Sequence, residues 1–515
     1  MVVDGTGSEP VRADLAVEGS RIKDVGDLSG AGAGRTIDLK GLYVCPGFID
    51  AHAHSEFVLL ADGRAEGKIS QGITTEINGN CGMSAAPLYG PALEQRESDL
   101  KQLEIKDRWN SFPEYFEILE KRKIAVNFVT LAGHGNIRAS VAGYSDRQLS
   151  EIEMEEAARL LREAMGAGAR GLSTGLVYPP GIYSATSEII NLAREAAKHG
   201  GIYATHMRSE GDMLMESIEE VIRISSESGI HAHISHLKAS GEKNWGKLNE
   251  VFAALDSAAG KGLMITCDRY PYIASSTDLD AVLPSWAFEG GRKEELERLR
   301  SERGRLAEDI LKDHPEALHD DFWNKIVVST SGLGNKWMEG KSIAEISRFF
   351  NKAPIETVFD LLLEEELNVG AIFFLMSEEN LRSIMKLDYV AVGTDSAARS
   401  YDGVTAEGKP HPRGFGSCPR ILGNYVREEG VLTLADAVHK MTGLPAGIFR
   451  LKERGVLAKG FFADITVFDP KKIIDTADFN NPFRRPEGIH YVFVNGEPVL
   501  TEGRMTGAMP GRILK

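Results

Sequence analysis

His52 and His54 stand one residue apart in the run Gly47-Phe48-Ile49-Asp50-Ala51-His52-Ala53-His54, which reads as a β-strand. Side chains two apart on a strand share a face. Both imidazoles therefore enter the same space, an arrangement that suits a metal ion. Histidines satisfied by core hydrogen bonds are the plainer reading of such a pair taken alone. Other candidates close other short apolar runs: His206 after Tyr203-Ala204-Thr205, His236 at the end of 230–236, and Asp395 in Val392-Gly393-Thr394-Asp395-Ser396. Four histidines and a carboxylate so placed offer ligands for a cation and a base for water.

Cys81 lies in Asn78-Gly79-Asn80-Cys81-Gly82-Met83, a Gly-rich turn just past another apolar run. Zinc takes sulfur as well as nitrogen, so a thiolate ligand and a buried inert cysteine both remain open readings. Cys45, Cys267 and Cys418 lack such a setting and read as inert. His231 and His233 have the opposite strand parity to His236, which leaves them at most a supporting role behind the ligands. His134, in Gly133-His134-Gly135, could be functional or structural. His199, His314, His319 and His439 fall in helical or polar stretches and read as surface or packing residues.

Positioning these groups takes strands whose ends meet. Eight runs qualify, at 48–54, 73–77, 125–131, 171–176, 202–206, 230–236, 264–268 and 389–395. Amphipathic stretches at 150–165, 187–199, 213–226 and 247–259 follow several of them. Repeated strand-then-helix order predicts an α/β fold, a TIM (β/α)8 barrel over 46–454, whose strand C-termini form the active face. An interruption at about 279–386, with a charged helix at 292–305, reads as a lid inserted between the seventh and eighth strands or as a solvated excursion. The ends differ in character. Short β-rich pieces at 13–17, 35–39, 463–468 and 491–496, with Gly and Asn-Gly turns, predict a small β-sandwich built from 1–45 and 455–515.

Length and composition agree with a large enzyme. The 515 residues are 42% hydrophobic and 26% charged, an ordinary globular mix. With 59 basic against 75 acidic residues the net charge is −16, which argues against a nucleic-acid or anionic-membrane partner and leaves a small-molecule substrate. Residues 1–10 lack the apolar core of a secretory signal, and no stretch approaches the roughly 18 apolar residues of a membrane span. Four cysteines form no disulfide framework and fit a reducing, cytoplasmic setting. Nothing in the sequence fixes an oligomeric state.

Several stretches together resemble the N-acyl-D-amino-acid deacylases (D-aminoacylases) of the amidohydrolase superfamily: PGFIDAHAHSE at 46–56, GNCGMSAAP at 79–87, GLVYPPG at 175–181, THMRSEG at 205–211, HISHLKAS at 233–240, DRYPYIASST at 268–277, GTDS at 393–396 and HPRG at 411–414. The resemblance spans nearly the whole chain, including 454–470 and 494–503. It implies zinc-dependent hydrolysis of the N-acyl bond of an N-acyl-D-amino acid. Cys81, His206 and His236 match the ligands of a tight zinc; His52 and His54 match those of a second, weaker site that shares Cys81, with Asp395 alongside. Related hydantoinases and dihydroorotases use a carboxylated lysine on the fourth strand, and 164–186 contains no lysine.

The resemblance also places the substrate carboxylate on Lys238, Tyr270 and Arg413, with Tyr178 and Ser275 nearby, a set suited to an amino-acid carboxylate. Asp395 becomes the general base and then the acid that protonates the leaving nitrogen. Two features depart from the family. Its members have another short strand upstream of the position where this chain begins. Members that prefer acyl-D-glutamate carry an Arg in the lid, whereas Leu283-Pro284-Ser285-Trp286-Ala287-Phe288 offers Trp and Phe, from which a neutral or apolar side chain is expected. Rival readings are a dipeptidase acting on a D-residue, a cyclic-amide hydrolase and, more remotely, a barrel that serves as a non-catalytic scaffold.

Overall fold

The structure, a computed structural model, describes residues 1–332 and 334–515. Parallel strands form two sheets. Phe48–Asp50 pairs with Ile73–Asn78, and that with Asn127–Thr130. Ala132–Gly133 begins a second run that continues through Gly171–Gly175, Ile202–His206, His231–Ile234 and Ile265–Arg269 to Val390–Val392. The sheets join at both margins. Leu131 N donates to Asn78 O (2.8 Å), and at the other side Ala51 N donates to Val392 O (3.1 Å) and Asp395 N to His52 O (2.8 Å). The segment 127–133 thus counts as one interrupted strand, and eight parallel strands follow one another in chain order, as in a barrel.

Every residue of Ile73–Asn78, Asn127–Thr130 and Gly171–Gly175 is buried, because helices cover the outer face. Glu151–Ala167 shows how the sequence builds that layer. Ser150 caps it by accepting from Glu153 N, Gly168 ends it at φ 118°, and Ala157, Leu160, Leu161 and Ala164 turn inward. Thr186–Lys198, Leu214–Ser228 and Leu248–Gly260 fill the places expected for the next three helices.

Both chain ends feed one antiparallel sheet. Tyr43–Pro46 pairs with Ile465–Phe468, which continues through Ile489–Val494 and Glu497–Thr501 to Arg504–Met505. Asn495 (φ 51°) and Gly496 (φ 81°) make the hairpin turn that their types favour. The strand expected at 35–39 is absent: that stretch is mostly exposed and has no sheet partner. Its apolar residues are too few to bury a face.

A second apolar core gathers residues between Leu279 and Phe373, beside a three-stranded sheet of Ser275–Asp278, Gly370–Phe373 and Ile326–Thr330. Helix Glu378–Met385 instead packs Leu381, Ile384 and Met385 into the barrel's core. The charged stretch expected as one helix is two, Arg292–Ser301 and Arg303–Asp313, because the chain leaves helical dihedrals at Glu302 (φ −122°). Among the described residues no helix is long and apolar enough to cross a membrane.

Candidate active site

Strand ends bring the sequence candidates together. Cys81 Sγ lies 3.4 Å from His52 Nε2, 3.6 Å from His236 Nε2 and 3.8 Å from His206 Nδ1. His52 Nε2 and His54 Nε2 are 3.2 Å apart, and Asp395 Oδ1 sits 3.5 and 3.3 Å from them. Three overlapping sets result: His52, His54 and Cys81; Cys81, His206 and His236; His52, His236 and Asp395.

Backbone conformation aims three of these ligands. Cys81 (φ 53°), His236 (φ 37°) and Asp395 (φ 50°) all adopt the left-handed region just past a strand end. Each such residue costs about 1–3 kcal/mol, which the surrounding fold has to offset, and strain of this kind gathers at functional sites. The turn bearing Cys81 depends on two glycines. A Cβ at Gly79 would stand 2.2 Å from Leu131 O, and one at Gly82 would stand 2.7 Å from Gly175 N.

The electrostatics are those of a ligand set. Burial alone would push the Cys81 thiol up, yet His52 and the hydrogen bonds from His206, His236 and His52 hold it well below the ordinary thiol range. Burial likewise opposes charge on His54 and His236, but His54 is raised to about 9 by Asp395 and Cys81, and His236 to about 9 by Glu210, Asp395 and Cys81. Burial pushes His206 down. Thiolate, imidazole and carboxylate together form the donor chemistry of zinc. Bond lengths of about 2.0–2.3 Å in a tetrahedron require ligand atoms roughly 3.3–3.8 Å apart, and the spacings above fall in or close to that range.

Behind the donors lie partners that the sequence reading did not single out. Asp268 Oδ2 accepts from His52 Nδ1 and from His233 Nε2, both at 3.1 Å, while its Oδ1 accepts from His236 N at 3.0 Å. The carboxylate fixes the tautomer that leaves His52 Nε2 free for a metal. Glu210 Oε1 stands 2.8 Å from His236 Nδ1, and its Oε2 3.6 Å from His206 Nε2. Lys68 Nζ, fully buried, reaches Asp50 Oδ2 at 2.6 Å, Glu76 Oε1 at 2.7 Å and Thr394 Oγ1 at 2.9 Å, holding the backbone next to Asp395. Spacing gave some signal: Asp268 stands two residues before Tyr270, and Glu210 four residues after His206.

The expected substrate contacts are more scattered. Arg413 Nη1 lies 2.9 Å from Asp395 Oδ2, and the guanidinium of Arg413 sits over the Tyr270 ring at 4.6 Å. Tyr270 OH and Arg413 Nε are buried without a hydrogen-bond partner among the described residues, so they are donors in search of an acceptor. Lys238 instead ion-pairs with Glu210 and lies 2.6 Å from His236 Nδ1. Tyr178 meets His206 edge-on, with ring centroids 5.0 Å apart, and its OH is 3.3 Å from Thr277 Oγ1. Ser275 opens the strand Ser275–Asp278 beside Ala274, whose carbonyl accepts from His411 Nε2 at 2.9 Å. His134 is buried with Nε2 2.9 Å from Glu188, in a pair completed by Arg138. Trp286 donates to Asp309 Oδ2 at 2.9 Å and packs against the second core.

Known proteins are similar to this chain in sequence and fold. The amidohydrolase family model matches residues 35–272 and 335–500. The D-aminoacylase of Alcaligenes xylosoxydans xylosoxydans is 37% identical over 515 residues, covering 100% of this chain and 96% of its own length. A D-aminoacylase crystal structure said to define a novel subset of amidohydrolases aligns with a TM-score of 0.84 at 35% identity, over 100% of this chain and 98% of that one. The N-acyl-D-glutamate deacylase of Bordetella bronchiseptica, solved with zinc and a phosphonate mimic of the tetrahedral intermediate, aligns at 0.83 and 32% identity over 100% and 97%. A full-length match in sequence, joined to the same overall fold, places this chain in the amidohydrolase family.

Proposed function

We propose that this enzyme hydrolyses the N-acyl amide bond of N-acyl-D-amino acids, using zinc, to give a carboxylic acid and a free D-amino acid. The observation that carries the reading is Cys81 Sγ, 3.4–3.8 Å from nitrogens of three histidines with Asp395 beside them. Full-length relatives that deacylate N-acyl-D-amino acids, one of them solved with zinc, support the substrate class and the metal. Cys81, His206 and His236 would hold the tight zinc, and His52 and His54 with Cys81 a weaker second one, with Asp395 alongside. When bound, zinc supplies Lewis acidity that polarises a carbonyl and makes water acidic enough to react at neutral pH.

The chain's own residues do the rest. Arg413 and Tyr270, with their unpaired donors, hold the substrate carboxylate, a planar group that a guanidinium matches. Lys238 adds a nearby positive charge, while Tyr178 and Ser275 border the pocket. Asp395 takes the proton of the attacking water as the new C–O bond forms at the acyl carbon. It passes that proton to the amide nitrogen as the C–N bond breaks, since an unprotonated amine leaves poorly. Residues 279–375, short of the helix Glu378–Met385 that packs into the barrel's core, serve as a lid over this reaction, and 1–45 with 455–515 as a small β-sandwich buttress. The lid stretch 283–288, with Trp286 and Phe288 and no arginine, favours neutral or apolar side chains over acyl-D-glutamate.

Initial rates on paired N-acetyl-D- and N-acetyl-L-amino acids, with zinc-loaded protein and a chelated control, test the reading. Zinc-dependent release confined to the D-series supports it. Release from the L-series at equal rate overturns the stereochemical assignment. No release from either, with zinc bound, moves the substrate to cyclic amides or to dipeptides ending in a D-residue.

A further inference from the structure

The barrel end opposite the donor cluster carries two adjoining hollows, of about 180 and 290 Å³. Residues just ahead of the strands Gly171–Gly175 and Ile202–His206 line the first, so the hollows lie at strand N-termini. His206, at the far end of one of those strands, is four residues of extended chain away, about 13 Å. Arg170 and Lys515 line both hollows, Arg450 the first, and Lys452 and Arg512 the second.

Most of this charge is unanswered. Among the described residues, no Asp or Glu side chain comes within ion-pairing distance of Arg170, Arg450, Lys452 or Arg512, whereas such ion pairs are frequent over the rest of the molecule. Glu453, the acidic residue on the lining, is taken by Arg21 at 2.5 Å. Arg170 Nη2 donates at 2.7 Å to an oxygen of Lys515, the last residue, which answers part of its charge, and Arg450 donates to the neutral carbonyl of Gly200. Arg170 Nε is buried with no partner among the described residues, and burial pushes that guanidinium's pKa down. The Arg512 guanidinium lies 5.7 Å from the Phe462 ring. A chain of net charge −16 that gathers unpaired cations in one concavity holds them against its own average.

We propose that this hollow binds a small multivalent oxyanion, a phosphate or a dicarboxylate, at a site separate from the reaction centre. Fork-shaped guanidinium donors suit either group, and charge-assisted hydrogen bonds would satisfy the orphaned Arg170 Nε. Elsewhere the acidic surface repels anions, which makes a specific hollow stand out from nonspecific adsorption.

The test is calorimetric titration of the zinc-loaded enzyme with inorganic phosphate and, separately, with succinate, at ionic strength held constant with sodium chloride. Wild type should bind at least one of the two saturably. K452Q/R512Q, which alters two exposed side chains, and R170Q should each weaken that binding at least tenfold while deacylation without added anion stays unchanged. Binding of phosphate alone identifies a phosphate-bearing ligand, and of succinate alone a dicarboxylate. Absence of saturable binding to wild type overturns the proposal. So does equal affinity in K452Q/R512Q and R170Q, which would place the anion elsewhere, at the metal centre for instance.

Discussion

Arg413 Nη1 stands 2.9 Å from Asp395 Oδ2, so the group assigned to the substrate's carboxylate also touches the group assigned to its proton transfer. R413A should therefore raise KM and lower kcat together. Loss of one charge-assisted contact, about 1.5–3 kcal/mol, corresponds to roughly 10–100-fold in KM. R413K keeps the charge without the fork and should recover part of the binding. Steady-state kinetics with an unchanged KM in R413A would remove Arg413 from the carboxylate site.

Asp395→Asn keeps the shape of the side chain and removes its basicity. Turnover should fall by about 10²–10⁴-fold, with zinc content and KM changed far less. A rate near wild type would exclude Asp395 as the proton acceptor.

Cys81 stands in two of the three donor sets, so both proposed metal positions depend on its sulfur. C81S should lose zinc affinity by more than the roughly 10–100-fold that outer partners cost. Metal analysis after equilibrium dialysis against a graded zinc buffer reads this directly. Retention of wild-type zinc content by C81S would return Cys81 to the inert class.

Asp268 orients His52 and His233 at once and also accepts from His236 N. D268N removes its charge and the tautomer control, and should weaken zinc binding by about 10–100-fold. An effect on stability alone, with metal affinity intact, would count against a positioning role.

The second core holds a pH-dependent element. Glu295 is buried, and burial first, then Asp280, raises its carboxyl pKa to about 9. A carboxyl with a native pKa above its unfolded value binds more protons in the native state between the two. Stability then falls as pH climbs through that window, from about 4 towards 9. E295Q should flatten the decline and raise the unfolding midpoint at pH 8 by about 2 °C or more. Calorimetric scans at pH 6 and pH 8 check it; an unaltered pH slope in E295Q speaks against the assignment.

Barrel strands and histidines were legible because each leaves a local mark: short apolar runs broken by turn residues, and ligands at the run ends. Cys81 left a weaker mark: its Gly-rich turn past an apolar run sets it apart from the other three cysteines but leaves ligand and inert thiol both open, and resemblance to a family favours the ligand. Asp268 and Glu210 are acids among 75, and their pairing with His52 and His236 exists only once strands distant in sequence are adjacent. Ser275–Asp278 was missed as a strand because Ser-Ser-Thr-Asp has no apolar alternation; its partner Gly370–Phe373 supplies the ladder. The eighth strand, Val390–Val392, ends three residues before Asp395, which turns left-handed.

Cys45, next to the barrel's first strand, shares a ladder with Thr466, 421 residues further along the chain. At roughly 5–20 residues per second, the ribosome delivers that partner about 20–80 s after the first edge emerges. Through that interval Tyr43–Pro46 is an uncovered apolar edge, and Phe48–Asp50 lacks the neighbour that Val390–Val392 will later provide. Assembly is therefore post-translational in its last step, and a chain cut before Ile465 leaves open the very edge that its beginning exposes.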